Sequence, residues 1–96
     1  MYAQVTRFKI KPGQLAATKQ VRDDVDPMIR AVPGIKQHLT LLGEDGTGLV
    51  IAIRDGDEPT DETKAKITEI WNRFEGLFEA EPQREQFEVF RDVTIG

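Results

Sequence analysis

His38 is the only histidine of the chain, and there is no cysteine. Imidazole is therefore the one side chain here whose ordinary pKa suits proton exchange near neutral pH. A base of that kind is what taking a proton from a phenol requires. The plainer role is that of a strand residue holding a structural hydrogen bond, since the neighbours Gln37 and Thr40 supply no triad partner at fixed spacing. Trp71, Phe74 and Phe78 recur at helical spacing and make an aromatic stripe. Core packing explains such a stripe, and in a fold that leaves a gap in its core the same rings wall an aromatic pocket. Tyr2, Gln4 and Thr6 alternate along a strand and share a face. Polar groups inside a fold need partners. Arg22 and Asp26 of the first helix, or a bound ligand, could supply them. Arg54 and Arg91 carry guanidinium groups suited to a carboxylate or phenolate, or to an ion pair between subunits.

Several chemistries are excluded or disfavoured. Without cysteine there are no disulfides, thiolate nucleophiles, Cys-ligated zinc or iron–sulfur clusters. One histidine excludes a multi-His metal centre. Asp55, Asp57, Glu58, Asp61 and Glu62 form an acidic run, but an EF-hand loop begun at Asp55 would need Gly and Glu where Thr60 and Lys66 stand. No metal and no cofactor is expected. No phosphate-binding glycine loop and no GxSxG elbow is present. The 96 residues hold 13 Lys and Arg against 17 Asp and Glu, a net charge of −4. That balance gives no general attraction for nucleic acid, and Phe90 is the single aromatic candidate on an open sheet face. The longest apolar run, Leu49 to Ile53, is far too short for a membrane helix. Arg7 and Lys9 interrupt the apolar start where a signal segment would need continuity. A cytoplasmic protein with no membrane partner is expected.

The elements that position these residues follow from periodicity. Tyr2 to Ile10 reads as a strand with Tyr2, Thr6, Phe8 and Ile10 on one face and Ala3, Val5, Arg7 and Lys9 on the other. Lys11-Pro12-Gly13 ends it. A helix follows from about Gln14, with Leu15, Thr18, Val21, Val25, Met28, Ile29 and Val32 on its buried face. Pro27 implies either one kinked helix or two short collinear pieces. Pro33-Gly34 stops it. Ile35 to Leu42 is the second strand, Glu44 to Gly48 a hairpin loop, and Leu49 to Ile53 a third strand apolar on both faces. Thr60 is the N-cap of a second helix whose stripe is Ile67, Ile70, Trp71, Phe74, Leu77 and Phe78, ending at Glu81-Pro82. Phe87 to Ile95 reads as the fourth strand, with Phe87, Val89, Val93 and Ile95 on its apolar face.

The order β-α-β-β-α-β predicts an α+β, ferredoxin-like single domain over residues 1–96, a four-stranded antiparallel sheet with both helices on one face. The other face carries Val5, Phe90 and parts of the second and third strands. Monomers rarely expose a large apolar patch, so a homodimer packed through the open sheet face is expected.

This order, with "KPG" at Lys11-Pro12-Gly13, "PGI" at Pro33-Gly34-Ile35, "DGTG" at Asp45 to Gly48 and the terminal Phe87-Glu88-Val89, resembles the dimeric α/β-barrel superfamily. The closest branch is the antibiotic biosynthesis monooxygenase-like domain, over about residues 2 to 93. The resemblance implies homodimers whose two sheets close into a barrel, with a pocket in each subunit between sheet and helices. Some such proteins oxidise polycyclic phenols with O2 and no cofactor; others degrade haem, isomerise small metabolites or have no known activity. Ile53-Arg54-Asp55-Gly56 stands where that branch commonly carries a Trp-Glu-Ser-like element. The haem-degrading branch has Asn where Thr6 stands and a His in the second helix, which this chain lacks, and this argues against haem degradation. A histidine on the first strand, common in stress-responsive relatives, is missing too. The resulting expectation is a cofactor-free monooxygenase-like protein that binds a small aromatic or hydrophobic metabolite. Thr6, Trp71 and Phe74 would bind the substrate and His38 would be the catalytic base. The alternative is a non-catalytic dimer that binds a ligand or serves as a scaffold.

Overall fold

A computed structural model describes residues 1–56 and 59–96. Asp57 and Glu58 of the acidic run lie outside the described residues. The elements are β1 (Tyr2–Lys9), α1 (Leu15–Arg30), β2 (Ile35–Leu42), β3 (Thr47–Arg54), α2 (Asp61–Asn72) and β4 (Gln83–Glu88). All strand pairs are antiparallel, in the order β2-β3-β1-β4. This is the ferredoxin-like arrangement, in which each helix returns the chain across the same face of the sheet.

The α1 helix runs unbroken through Pro27. Pro27 forfeits the one bond that an N–H there would donate to the Asp23 carbonyl, and the chain beyond it still closes with Ala31 N–H donating to Met28 O at 3.2 Å. Its inward face supplies Val25, which with Val32 and Ile70 of α2 forms the buried cluster, and Met28, Ile29, Ile67 and Phe74 pack against it. Thr60 caps α2, its hydroxyl accepting from Thr63 N–H at 3.2 Å. Asp61 and Glu62 sit in the first turn, where negative charge suits the helix dipole.

Three expectations are corrected. The helix α2 ends at Asn72, not at Glu81-Pro82. Beyond it Phe74 N–H donates to Trp71 O and Leu77 N–H to Phe74 O, both at 3.0 Å, and Gly76 takes a left-handed φ of 86°. These tight turns still deliver Phe78 to a bridge with Ile10, so the aromatic stripe survives the end of the helix. The fourth strand begins and ends earlier than expected. Phe87 pairs with Ala3 on the open face, while Arg84 and Gln86, opposite Thr6 and Gln4, take the helix side. On an edge strand the backbone ladder from β1 sets the register. Residues 89–96 form no strand, and Phe90 is 95% exposed.

The third correction concerns closure. β2 and β4 each pair along one side only, so the sheet is open and is not a barrel. Neighbouring strands rotate by roughly 20–25°, and small closed barrels use about 8 strands; four strands cannot complete the circuit. The open face carries Val5, Leu39, Leu41, Leu49, Ile51, Ile53 and Phe87, among which Leu39, Leu41 and Phe87 are more than two-fifths exposed. Among the described residues no helix is long and apolar enough to cross a membrane.

Candidate functional site

The pairing register arranges the helix-side residues in cross-sheet rows. At one end Leu42, Gly48 and Phe8 stand abreast, with the Phe8 ring lying over Gly48 where a Cβ would collide with it. The next row holds Thr40, Val50, Thr6 and Arg84. The third holds His38, Ala52, Gln4 and Gln86. The last contains Ile35, Arg54, Tyr2 and Glu88. Between these rows and the helices lies a cavity of about 190 Å³.

The cavity has an aromatic end and a polar end. Phe8 and Phe78 meet with ring centroids 5.6 Å apart, and Trp71 lies 6.0 Å from Phe78 and 6.3 Å from Phe74. The Arg84 guanidinium caps the Trp71 ring at 5.4 Å, a cation–π contact reaching in from the edge strand. The polar end is formed by Gln4, His38 and Arg54. Thr6, only 3% exposed, stands between the two. Thr18 lines the wall but spends its hydroxyl on the Gln14 carbonyl at 2.8 Å.

All four expected site residues, Thr6, His38, Trp71 and Phe74, line this one cavity. Arg91 does not; it follows β4 and is exposed. Two contributors carried less weight in the sequence than in the structure. Arg84 fell outside the expected fourth strand, and extending the alternation back to Gln83 would have found it. Arg54 follows Val50 and Ala52 at strand spacing, which alone assigns it to the helix side.

Half-buried His38 has its pKa lowered, because desolvation disfavours the imidazolium, while the charge of Asp26 opposes the shift. Asp26 is itself paired with Arg30, Nε to Oδ2 at 2.7 Å. His38 is thus neutral at pH 7 and able to accept a proton. Among the described residues no group of three or more His, Asp or Glu side chains gathers as a metal site.

A second cavity, of about 490 Å³, opens between β1, β4 and the start of α2. It shares Gln4, Arg54 and Ile67 with the first, and Tyr2, Lys64 and Arg84 also line it.

No family model and no curated protein matches the sequence. Solved structures do. SnoaB, a cofactor-independent oxygenase from Streptomyces nogalater crystallised as a point mutant, superposes with a TM-score of 0.71 at 15% identity, covering 96% of this chain and 95% of that one. A structure described as antibiotic biosynthesis monooxygenase gives 0.72 at 10% identity, covering 95% and 100%. A protein of unknown function from Nitrosomonas europaea gives 0.71 at 20% identity, covering 99% and 94%. The chain has the antibiotic biosynthesis monooxygenase-like fold. At these identities the likeness concerns the fold; the chemistry has to be argued from the cavity.

The His38 shift has a thermodynamic consequence. The folded state keeps His38 neutral below its usual pKa of about 6.5, so on acidification the unfolded chain takes up the proton first. Its contribution to stability is complete above about pH 6.5 and is lost as the pH falls from there toward the lower folded-state pKa. Urea unfolding between pH 7 and pH 5 should show a declining midpoint, and His38→Gln should flatten that portion of the curve. An unchanged slope in the variant would contradict the assignment.

Proposed function

We propose that the protein is a cofactor-free monooxygenase-like enzyme that oxidises a single-ring phenol with O2. The observation that carries this reading is the convergence of a neutral histidine, a buried threonine hydroxyl and two aromatic rings on one cavity of about 190 Å³. A dry cavity of about 150 Å³ holds benzene, so the space suits one ring with substituents better than a polycyclic body. The fold shared with a cofactor-independent oxygenase supports the reaction class.

In this reading Trp71 and Phe74 hold the ring, Thr6 donates to a ring oxygen and His38 takes the phenolic proton. The electron-rich phenolate then reacts with O2 at a ring carbon. One oxygen atom becomes a carbonyl, and the other leaves as water with the displaced ring hydrogen and the phenolic proton. A phenol and O2 thus give a quinone and water, and every electron comes from the substrate. A non-catalytic ligand-binding role is favoured by one observation: among the described residues no side chain holds the His38 imidazole in place by a hydrogen bond or ion pair. Oxygen-electrode measurements with a panel of hydroxybenzenes separate the two. The enzyme reading expects uptake of one O2 per phenol, with His38→Ala reducing the rate by about 10²-fold or more. Binding without uptake, or a rate indifferent to His38→Ala, would leave only the ligand-binding role.

We also propose that two copies pack through the open sheet face. Val5, Leu39, Leu41, Ile51, Ile53 and Phe87 make a contiguous apolar surface there, of a kind monomers seldom expose. Sedimentation at micromolar concentration should report twice the 10.9 kDa chain mass, and Ile51→Glu should return it to one chain. A wild-type species of 10.9 kDa would refute the packing.

A further inference from the structure

Arg54 is 9% exposed, and its Nε is buried with no hydrogen-bond partner. Among the described residues it forms no ion pair. The neighbouring Asp55 is held by Lys36 at 3.0 Å, and Glu88, in the same cross-sheet row, is exposed and pairs with neither Arg54 nor Arg84. A guanidinium does not lose its proton inside a protein. Burying an unpaired charge is among the costliest things a fold can do. The Arg54 Nη2 lies beside Gly34, 3.5 Å from where a Cβ would stand, an ordinary van der Waals separation. Arg54 also lines both cavities, at the wall they share.

We propose that Arg54 is the seat for a ligand carboxylate, so that the molecule bound in the aromatic cavity is a ring carboxylic acid. This rests on the pocket described above and adds the anionic group of its occupant, independently of the oxidation chemistry. The planar fork of the guanidinium matches a carboxylate with two parallel hydrogen bonds. One negative charge balances one buried positive charge; a phosphate dianion would overshoot, since the other cations along the two cavities, Lys19, Arg22, Lys64 and Arg84, are exposed. The spacing agrees. The Arg54 row lies two residues along β3 from the His38 row, about 7 Å, comparable to the span of a benzene ring between para substituents. A carboxylate on Arg54 would therefore direct the ring and its para hydroxyl past Gln4 toward His38 and the wall of Thr6, Trp71 and Phe74.

The test is calorimetric titration under argon at pH 7, using 4-hydroxybenzoate, its neutral isostere 4-hydroxybenzamide, acetate and inorganic phosphate. The acid should bind about 10-fold or more tightly than the amide, as charge-assisted hydrogen bonds imply, and acetate and phosphate should bind more weakly than the acid. Arg54→Met should abolish the preference for acid over amide while leaving the urea midpoint unchanged or raised, because it removes an unpaired buried charge. Equal binding of acid and amide, no binding of either, tighter binding of phosphate, a preference that survives Arg54→Met, or a lowered midpoint in that variant would each overturn the proposal. Because no oxygen is present, these results are independent of whether a phenol is oxidised.

Discussion

Strand β3 sorts its side chains by size, and the rest of the molecule follows from that. Leu49, Ile51 and Ile53 project from the open face, while Gly48, Val50 and Ala52 face the helices. Thr6 and Thr40 flank Val50 in the same row. The helices lie over this face and pack on each other through the Val25, Val32 and Ile70 cluster. Small residues along this face of β3 line unfilled space between sheet and helices, and well-packed interiors hold little of that. The same sorting loads the other face with bulky aliphatic side chains that no element of this chain covers.

The cavity is consequently apolar over most of its wall and polar at one end. That gradient governs its electrostatics. Desolvation keeps His38 neutral, and the same environment makes the unpaired Arg54 expensive. A neutral base and a fixed cation at neighbouring rows form a site that favours an anion with an acidic hydroxyl beyond it. The aromatic end, closed by Phe8, Phe78 and the arginine-capped Trp71, would hold the apolar remainder.

The element order was legible because burial imprints period two on strands and period 3.6 on helices. It faded where burial stops discriminating. Gln83-Arg84-Glu85-Gln86 is polar on both faces of an edge strand, so neither its start nor its parity carries an apolar signal, and Phe87 was drawn to the wrong side. Trp71, Phe74 and Phe78 keep helical spacing although the helix ends at Asn72, because spacing reports which side is buried and not which backbone delivers it. The four pocket residues could be placed on one side from alternation and the helical stripe. The unpaired state of Arg54 could not, since it depends on which acids come near in space. Closure into a barrel came from resemblance alone, and the two free sheet edges do not bear it out.

The central claim is that the gap between sheet and helices receives a ring, and the single Trp71 reports on it directly. The measurement is an NMR titration with a small phenol, following the Trp71 indole N–H and the methyl groups of the isoleucine, leucine and valine residues. The account predicts shifts for Trp71, Val50 and Ile70, with Leu39, Leu41 and Ile51 on the opposite face unmoved. Shifts confined to the open face, or none at all, would contradict it.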